Sequence, residues 1–78
     1  MKDILIEIIQ KMNPFDEFDE DTDLFDEGLM DSLTIVGMIS EFENSTGCII
    51  PSEMVTIDVF TSVNSIVSEL KKREIYKD

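Results

Sequence analysis

The sequence predicts an all-α fold, a small bundle of three main helices with a short third helix set between the second and the last. Three observations carry this expectation. Ile4, Leu5, Ile8, Ile9 and Met12 share one helical face, as do Ile35, Val36, Ile39 and Phe42, and again Val63, Ile66, Val67 and Leu70. Recurrence at steps of three and four residues marks a buried helical face. Each segment is also bounded by residues that start or stop helices. The one extended apolar stretch, Cys48-Ile49-Ile50-Pro51, is too brief and too isolated to require a sheet. Counting the short helix, the expected arrangement is a four-helix bundle in a single domain spanning residues 1–78.

The first helix keeps Lys2, Asp3, Glu7 and Lys11 off its apolar face and ends at Asn13-Pro14, because proline disfavours helix in the residue before it. From Asn13 to about Asp31 runs a long acidic connection, of a length that in a small domain is usually functional or disordered. Phe15, Phe18, Leu24, Phe25 and Leu29 punctuate the acids, so the connection is expected to be pinned onto the core, with Phe25 and Leu29 holding the turn that follows. The second helix runs from about Ser32 to Asn44 and stops at Ser45-Thr46-Gly47, with glycine just past the last turn. Gly37 within it weakens the helix by about 1 kcal/mol relative to alanine, which implies a reason: close approach of a partner, or room inside the fold. Val55 to Phe60 suits a short helix or turn with Val55, Val59 and Phe60 inward. Thr61 or Ser62 then caps the final helix, whose last turn holds Lys71, Lys72 and Arg73, where the helix dipole favours cations.

Eighteen acids against six bases give a net charge of −12. Between Lys11 and Lys71 there is no lysine or arginine, while fourteen acids lie in that interval. Such a surface repels nucleic acid and anionic membrane, and draws in partners that carry basic patches. The chain has no histidine, which excludes a Ser–His or Cys–His catalytic arrangement within it. The single cysteine, Cys48, excludes an internal disulfide framework and fits a reducing cytoplasm; flanked by Ile49 and Ile50, it reads as a small buried apolar residue. Met1-Lys2-Asp3-Ile4 lacks the apolar run of a signal peptide, and nothing reaches the roughly 18 apolar residues of a membrane span. A cytoplasmic monomer without membrane insertion is the expectation.

The acid cluster invites comparison with a calcium loop. Asp19, Asp21 and Asp23 match the first three ligand positions of an EF-hand, but its glycine position is Leu24 and its closing glutamate position is Met30. No dedicated metal site is expected, although crowded carboxylates bind divalent ions loosely.

The stretch with most chemical content is Gly28-Leu29-Met30-Asp31-Ser32-Leu33. Gly28 suits a tight turn, and Asp31 and Ser32 are both good helix caps. With Asp31 in the capping role, the Ser32 hydroxyl is left free at a helix N-terminus, where backbone N–H groups and the dipole favour an attached phosphate. Asp-Ser ahead of an apolar helix is, taken alone, only a cap.

The wider run Asp23-Leu24-Phe25-Asp26-Glu27-Gly28-Leu29-Met30-Asp31-Ser32-Leu33 resembles the phosphopantetheine attachment site of the acyl carrier protein family. The resemblance extends through Glu41-Phe42-Glu43 and Ile50-Pro51 to the closing helix, covering about Ile4 to Leu70. It implies an acyl-carrier-like bundle in which Ser32 receives 4′-phosphopantetheine from coenzyme A through a separate phosphopantetheinyl transferase. It further implies that Asp31 orders the helix start beside the arm and that Leu33 offers an apolar contact. The chain itself would be a non-catalytic carrier, holding an acyl or aminoacyl group as a thioester. Its implied partners are an acyl- or amino-acid-activating ligase and a downstream acyltransferase or synthase, in fatty acid or polyketide biosynthesis or a related pathway. The second helix is the family's docking surface, which points to Leu33, Val36, Gly37, Ser40 and Glu41. Family members often carry a denser acidic stripe there, whereas here only Glu41 and Glu43 supply charge.

Two residues, Leu29 and Met30, separate Gly28 from Asp31-Ser32, which is similar to the D-alanyl carrier proteins of teichoic acid modification and to some stand-alone carriers. Ile57-Asp58-Val59-Phe60-Thr61 and Asn64-Ser65-Ile66-Val67 resemble the same group, with Phe60 near its usual tryptophan. A generic acyl or aminoacyl carrier is the first reading, and D-alanyl carriage the specific alternative. From other classes, a small acidic helical adaptor or inhibitor without cofactor would be indifferent to Ser32→Ala, and a calcium module would require a tight stoichiometric site.

Overall fold

Three amphipathic helices fold around one apolar core in a computed structural model that describes residues 2–76. Helix α1 spans Lys2–Met12, α2 spans Ser32–Thr46, a single 3-10 turn covers Ser52–Met54, and α3 spans Val63–Lys72. No strand occurs among the described residues. The short element is thus one 3-10 turn at Ser52–Met54, ahead of the Val55–Phe60 segment, which is turn rather than helix. Among the described residues the bundle is three α-helices plus that turn.

Helix α1 packs against both α2 and α3. It runs antiparallel to α2, with Met12 beside Gly37 at one end and Ile4 and Ser45 sharing a surface cleft at the other. Leu5, Ile8 and Ile9 enter the core from α1, Ile35, Met38 and Phe42 from α2, and Val63, Ile66, Val67 and Leu70 from α3. The faces of α1 and α3 are those their spacing predicts, except that Met12 at the end of α1 is 36% exposed. On α2 the face is rotated from the expected one. Met38 is buried in the core, whereas Val36 is 66% exposed and Ile39 only half-buried. Residues 35, 38 and 42 lie at the three- and four-residue steps of one face, while position 36 is turned about 100° from position 35. No charged or polar residue is buried among the described residues.

The connections close this core. Leu24, Met54 and Phe60 are wholly buried, and Leu29 and Met30 nearly so. Phe15, expected to pin the long connection, is instead 98% exposed. It follows Pro14 in a turn closed by the Asp16 N–H donating to the Asn13 carbonyl at 3.2 Å, and the tip of that turn points outward. Phe18 and Phe25 pack half-buried against the core. Val55, expected inward, is 38% exposed, and Cys48 is half-buried.

Helix ends are satisfied locally. Ser62, not Thr61, caps α3, its hydroxyl accepting from the Ser65 N–H at 3.1 Å. Gly47 closes α2 in the left-handed region at φ +75° and donates to the Glu43 carbonyl. Glu74 does the same for α3 at φ +57°, with its N–H bonded to the Lys71 carbonyl and that of Ile75 to the Leu70 carbonyl. This double bond pattern is a Schellman cap, accomplished here without glycine. Beyond it, the Tyr76 ring packs on Phe42 with centroids 5.9 Å apart.

Candidate functional site

The turn before α2 is built around Leu24. Its N–H donates to the Thr61 carbonyl at 2.7 Å, which ties it to the start of α3. Its own carbonyl accepts from the N–H groups of Leu29 at 2.8 Å and Met30 at 3.1 Å. Gly28 makes the reversal possible at φ +73°, a region that side chains with a Cβ rarely adopt. The Leu29 and Met30 side chains then turn inward, which leaves Asp31 and Ser32 outside.

Asp31 is the N-cap of α2. Its backbone is extended at φ −146°, and its carboxylate accepts from the Thr34 N–H at 2.8 Å. That backbone bond, with a further one from the Thr34 side chain, holds the Asp31 carboxyl below its ordinary value. It is therefore an anion at neutral pH, seated on the positive end of the helix dipole. Ser32 is the first residue of α2 and is exposed. No hydrogen bond among the described residues engages its hydroxyl.

Ser32 also borders an apolar groove of about 550 Å³. Ile35, Val36 and Ile39 of α2 form one wall, and Val55 and Ile57 the other. Leu33 and Ile57, 81% and 67% exposed, extend the apolar surface around the serine. The segment that leads into the far wall is tied to α2 at Ile50, whose N–H donates to the Glu43 carboxylate at 2.8 Å. Glu43 thus serves the fold, so Glu41 is the acid of α2 left toward solvent, half-exposed and paired at 3.5 Å with Lys11. Of the remaining residues singled out on α2, Ser40 is exposed, whereas Gly37 is half-buried beneath the Met12 side chain.

The acid cluster serves the loop. Asp19 accepts from the Asp21 N–H and the Thr22 hydroxyl, at 2.9 and 3.1 Å, and these bonds, the backbone one first, lower its pKa. Asp21 accepts from the Asn64 side chain at 2.6 Å, and Asp23 from the Asp26 N–H at 2.9 Å. Among the described residues no group of three or more potential ligands is placed to hold a metal ion.

Several members of this site were not legible in the sequence. The roles of the Leu24 carbonyl and of the opposite wall at Val55 and Ile57 depend on chain reversals that leave no periodic trace. Met38 did leave one, three residues after Ile35 and four before Phe42.

Among the described residues the second helix of the bundle thus begins with an exposed serine whose hydroxyl takes no hydrogen bond, beside an apolar groove. Residues 3–70 match the family described as the phosphopantetheine attachment site, and the chain belongs to that family. It is 29% identical over 76 residues to the D-alanyl carrier protein of Lactococcus lactis subsp. lactis (strain IL1403), covering 95% of this chain and 96% of that relative. To the D-alanyl carrier protein of Lactococcus lactis subsp. cremoris (strain MG1363) it is 29% identical over 75 residues, 94% of this chain and 95% of the relative. Family and relatives imply a carrier role with 4′-phosphopantetheine as the prosthetic group.

Proposed function

We propose that Ser32 is the attachment residue and that the chain is a single-domain carrier, presenting a thioester-linked acyl or aminoacyl group to partner enzymes. The observation that carries this reading is the exposed Ser32 hydroxyl at the N-terminus of α2, unengaged and bordering the groove. The site fits the group. N–H groups of the first helical turn and the dipole favour the phosphodiester, and the apolar walls suit an uncharged chain leading away from it. Asp31 fixes the helix start, and Leu33, beside the serine and 81% exposed, offers an apolar contact to incoming enzymes. When bound, the group supplies a thiol that holds cargo as a thioester. The chain itself displays the serine and docks partners, without performing catalysis.

The two relatives named for D-alanyl carriage favour D-alanine as the specific cargo. The apolar groove favours a second reading, a longer acyl group. Leu33, Val36, Ser40 and Glu41 form the docking face on α2, whereas Gly37, expected on it, lies beneath Met12 of α1. The proposed partners are a phosphopantetheinyl transferase, an activating ligase and a downstream acyltransferase or synthase. A cytoplasmic setting agrees with the free Cys48 and with the lack, among the described residues, of any helix long and apolar enough to cross a membrane.

The test is intact mass after incubation with coenzyme A and a broad-specificity phosphopantetheinyl transferase. One phosphopantetheine on wild type and none on Ser32→Ala is the expected result. Folded wild type left unmodified by several transferases would return the chain to the acidic adaptor reading. Loading with D-alanine or with a fatty acyl group by the corresponding ligases then separates the two cargo classes.

A further inference from the structure

The turn that presents Ser32 is gripped by a side chain from outside it. Asn13, just past the end of α1, donates through Nδ2 to the Ile9 carbonyl at 3.0 Å and to the Leu29 carbonyl at 3.2 Å. The two hydrogens of one amide thus join the last turn of α1 to a residue three positions before Ser32. Asn13 is itself well held. Its N–H lies 3.0 Å from the Ile9 carbonyl, and its carbonyl accepts from Gln10 Nε2 at 2.9 Å and from the Asp16 N–H at 3.2 Å. Leu29 is consequently fixed from both sides, its N–H by the Leu24 carbonyl and its carbonyl by Asn13.

We infer that Asn13 is a positioning residue for modification at Ser32, acting through Leu29, an inference that rests on the attachment reading above. Gly28, at φ +73°, gives the preceding turn access to conformations closed to other residues. A transferase needs the serine in one arrangement, so any fraction of time the turn spends elsewhere lowers apparent affinity by that fraction and leaves the bound complex unchanged. Asn13 keeps that fraction small. Were it only a cap for α1 through Ile9, its loss would lower stability without touching recognition.

The two roles separate in the transferase reaction, with carrier concentration varied at a temperature where every variant is folded. Asn13→Asp keeps the shape and replaces both donors with acceptors that face carbonyls; Asn13→Ala removes the group. Val67→Ala, in the core of α3, supplies a control of lowered stability. The expected result is a KM for the carrier raised about tenfold in both Asn13 variants, with kcat within about twofold of wild type, and a KM unmoved in Val67→Ala. Amide hydrogen exchange at Leu29 and Met30 should quicken in the Asn13 variants alone. A KM unchanged in the Asn13 variants, or raised equally in Val67→Ala, overturns the inference. If wild type is never modified, the attachment reading fails on its own account. Unquickened exchange at Leu29 and Met30 in Asn13→Asp overturns the positioning role independently.

Discussion

Met12 lies across Gly37, its terminal methyl 2.6 Å from the point where a Cβ on Gly37 would stand. The glycine therefore makes room inside the fold, for the neighbouring helix. Since the crowding atom is the end of a flexible side chain on a residue 36% exposed, it can swing outward at small cost. Gly37→Ala should then recover most of the helix propensity and raise stability by up to about 1 kcal/mol. Gly37→Leu should lower it, because a long side chain cannot share that space. Urea denaturation of both variants decides the matter.

Leu24 and Phe15 belong to the same connection and should respond oppositely. Leu24→Ala, at a wholly buried site, should cost about 2–5 kcal/mol. Phe15→Ser, at a residue 98% exposed, should change stability by no more than about 0.5 kcal/mol. Equal effects from the two would mean that the connection packs differently.

The helices were legible because their apolar residues repeat at the helical period, and the start of α2 was narrowed to Asp31 or Ser32 as cap, a choice that the bond from the Thr34 N–H to the Asp31 carboxylate decides. Val36 was misplaced for an identifiable reason: its hydrophobicity alone does not say whether it faces the core or a groove. Asn13, Glu43 and Leu24 act on partners sixteen, seven and thirty-seven residues away, at Leu29, Ile50 and Thr61, and two of those partners are backbone groups bonded by side chains. Interactions of that kind leave no pattern in a single sequence. Glu74 in the left-handed region is likewise unmarked, since glycine is the residue that normally signals such a cap.

Acid should loosen the start of α2. The Asp31 carboxyl is lowered in the folded chain, so its stabilisation is complete above its ordinary value of 3.8 and is lost as pH falls through the lower folded value. Asp31→Asn keeps an acceptor for the Thr34 N–H but does not titrate. The stability difference between wild type and Asp31→Asn should therefore shift against wild type below about pH 4, while the general relief of acidic repulsion cancels between them. Thermal melts of both proteins from neutral pH downward supply the comparison.

Salt should stabilise the chain. With a net charge of −12 against exposed or half-exposed ion pairs such as Lys2–Glu20, Lys11–Glu41 and Arg73–Glu69 among the described residues, screening removes more repulsion than attraction. A melting temperature that rises between low ionic strength and about 0.15 M is expected, and a fall would show that the pairs outweigh the surplus acids.

The bond from Leu24 to Thr61 joins parts of the chain that are made far apart in time. A nascent polypeptide that has extruded only α1, the acidic connection and α2 holds Leu24 with no partner for its amide. The reversal at Gly28 is then missing one of its anchors until the residues leading into α3 leave the ribosome. The full set of bonds around the turn therefore closes only after the far segment has docked, which makes this contact one of the late ones in the assembly of the fold.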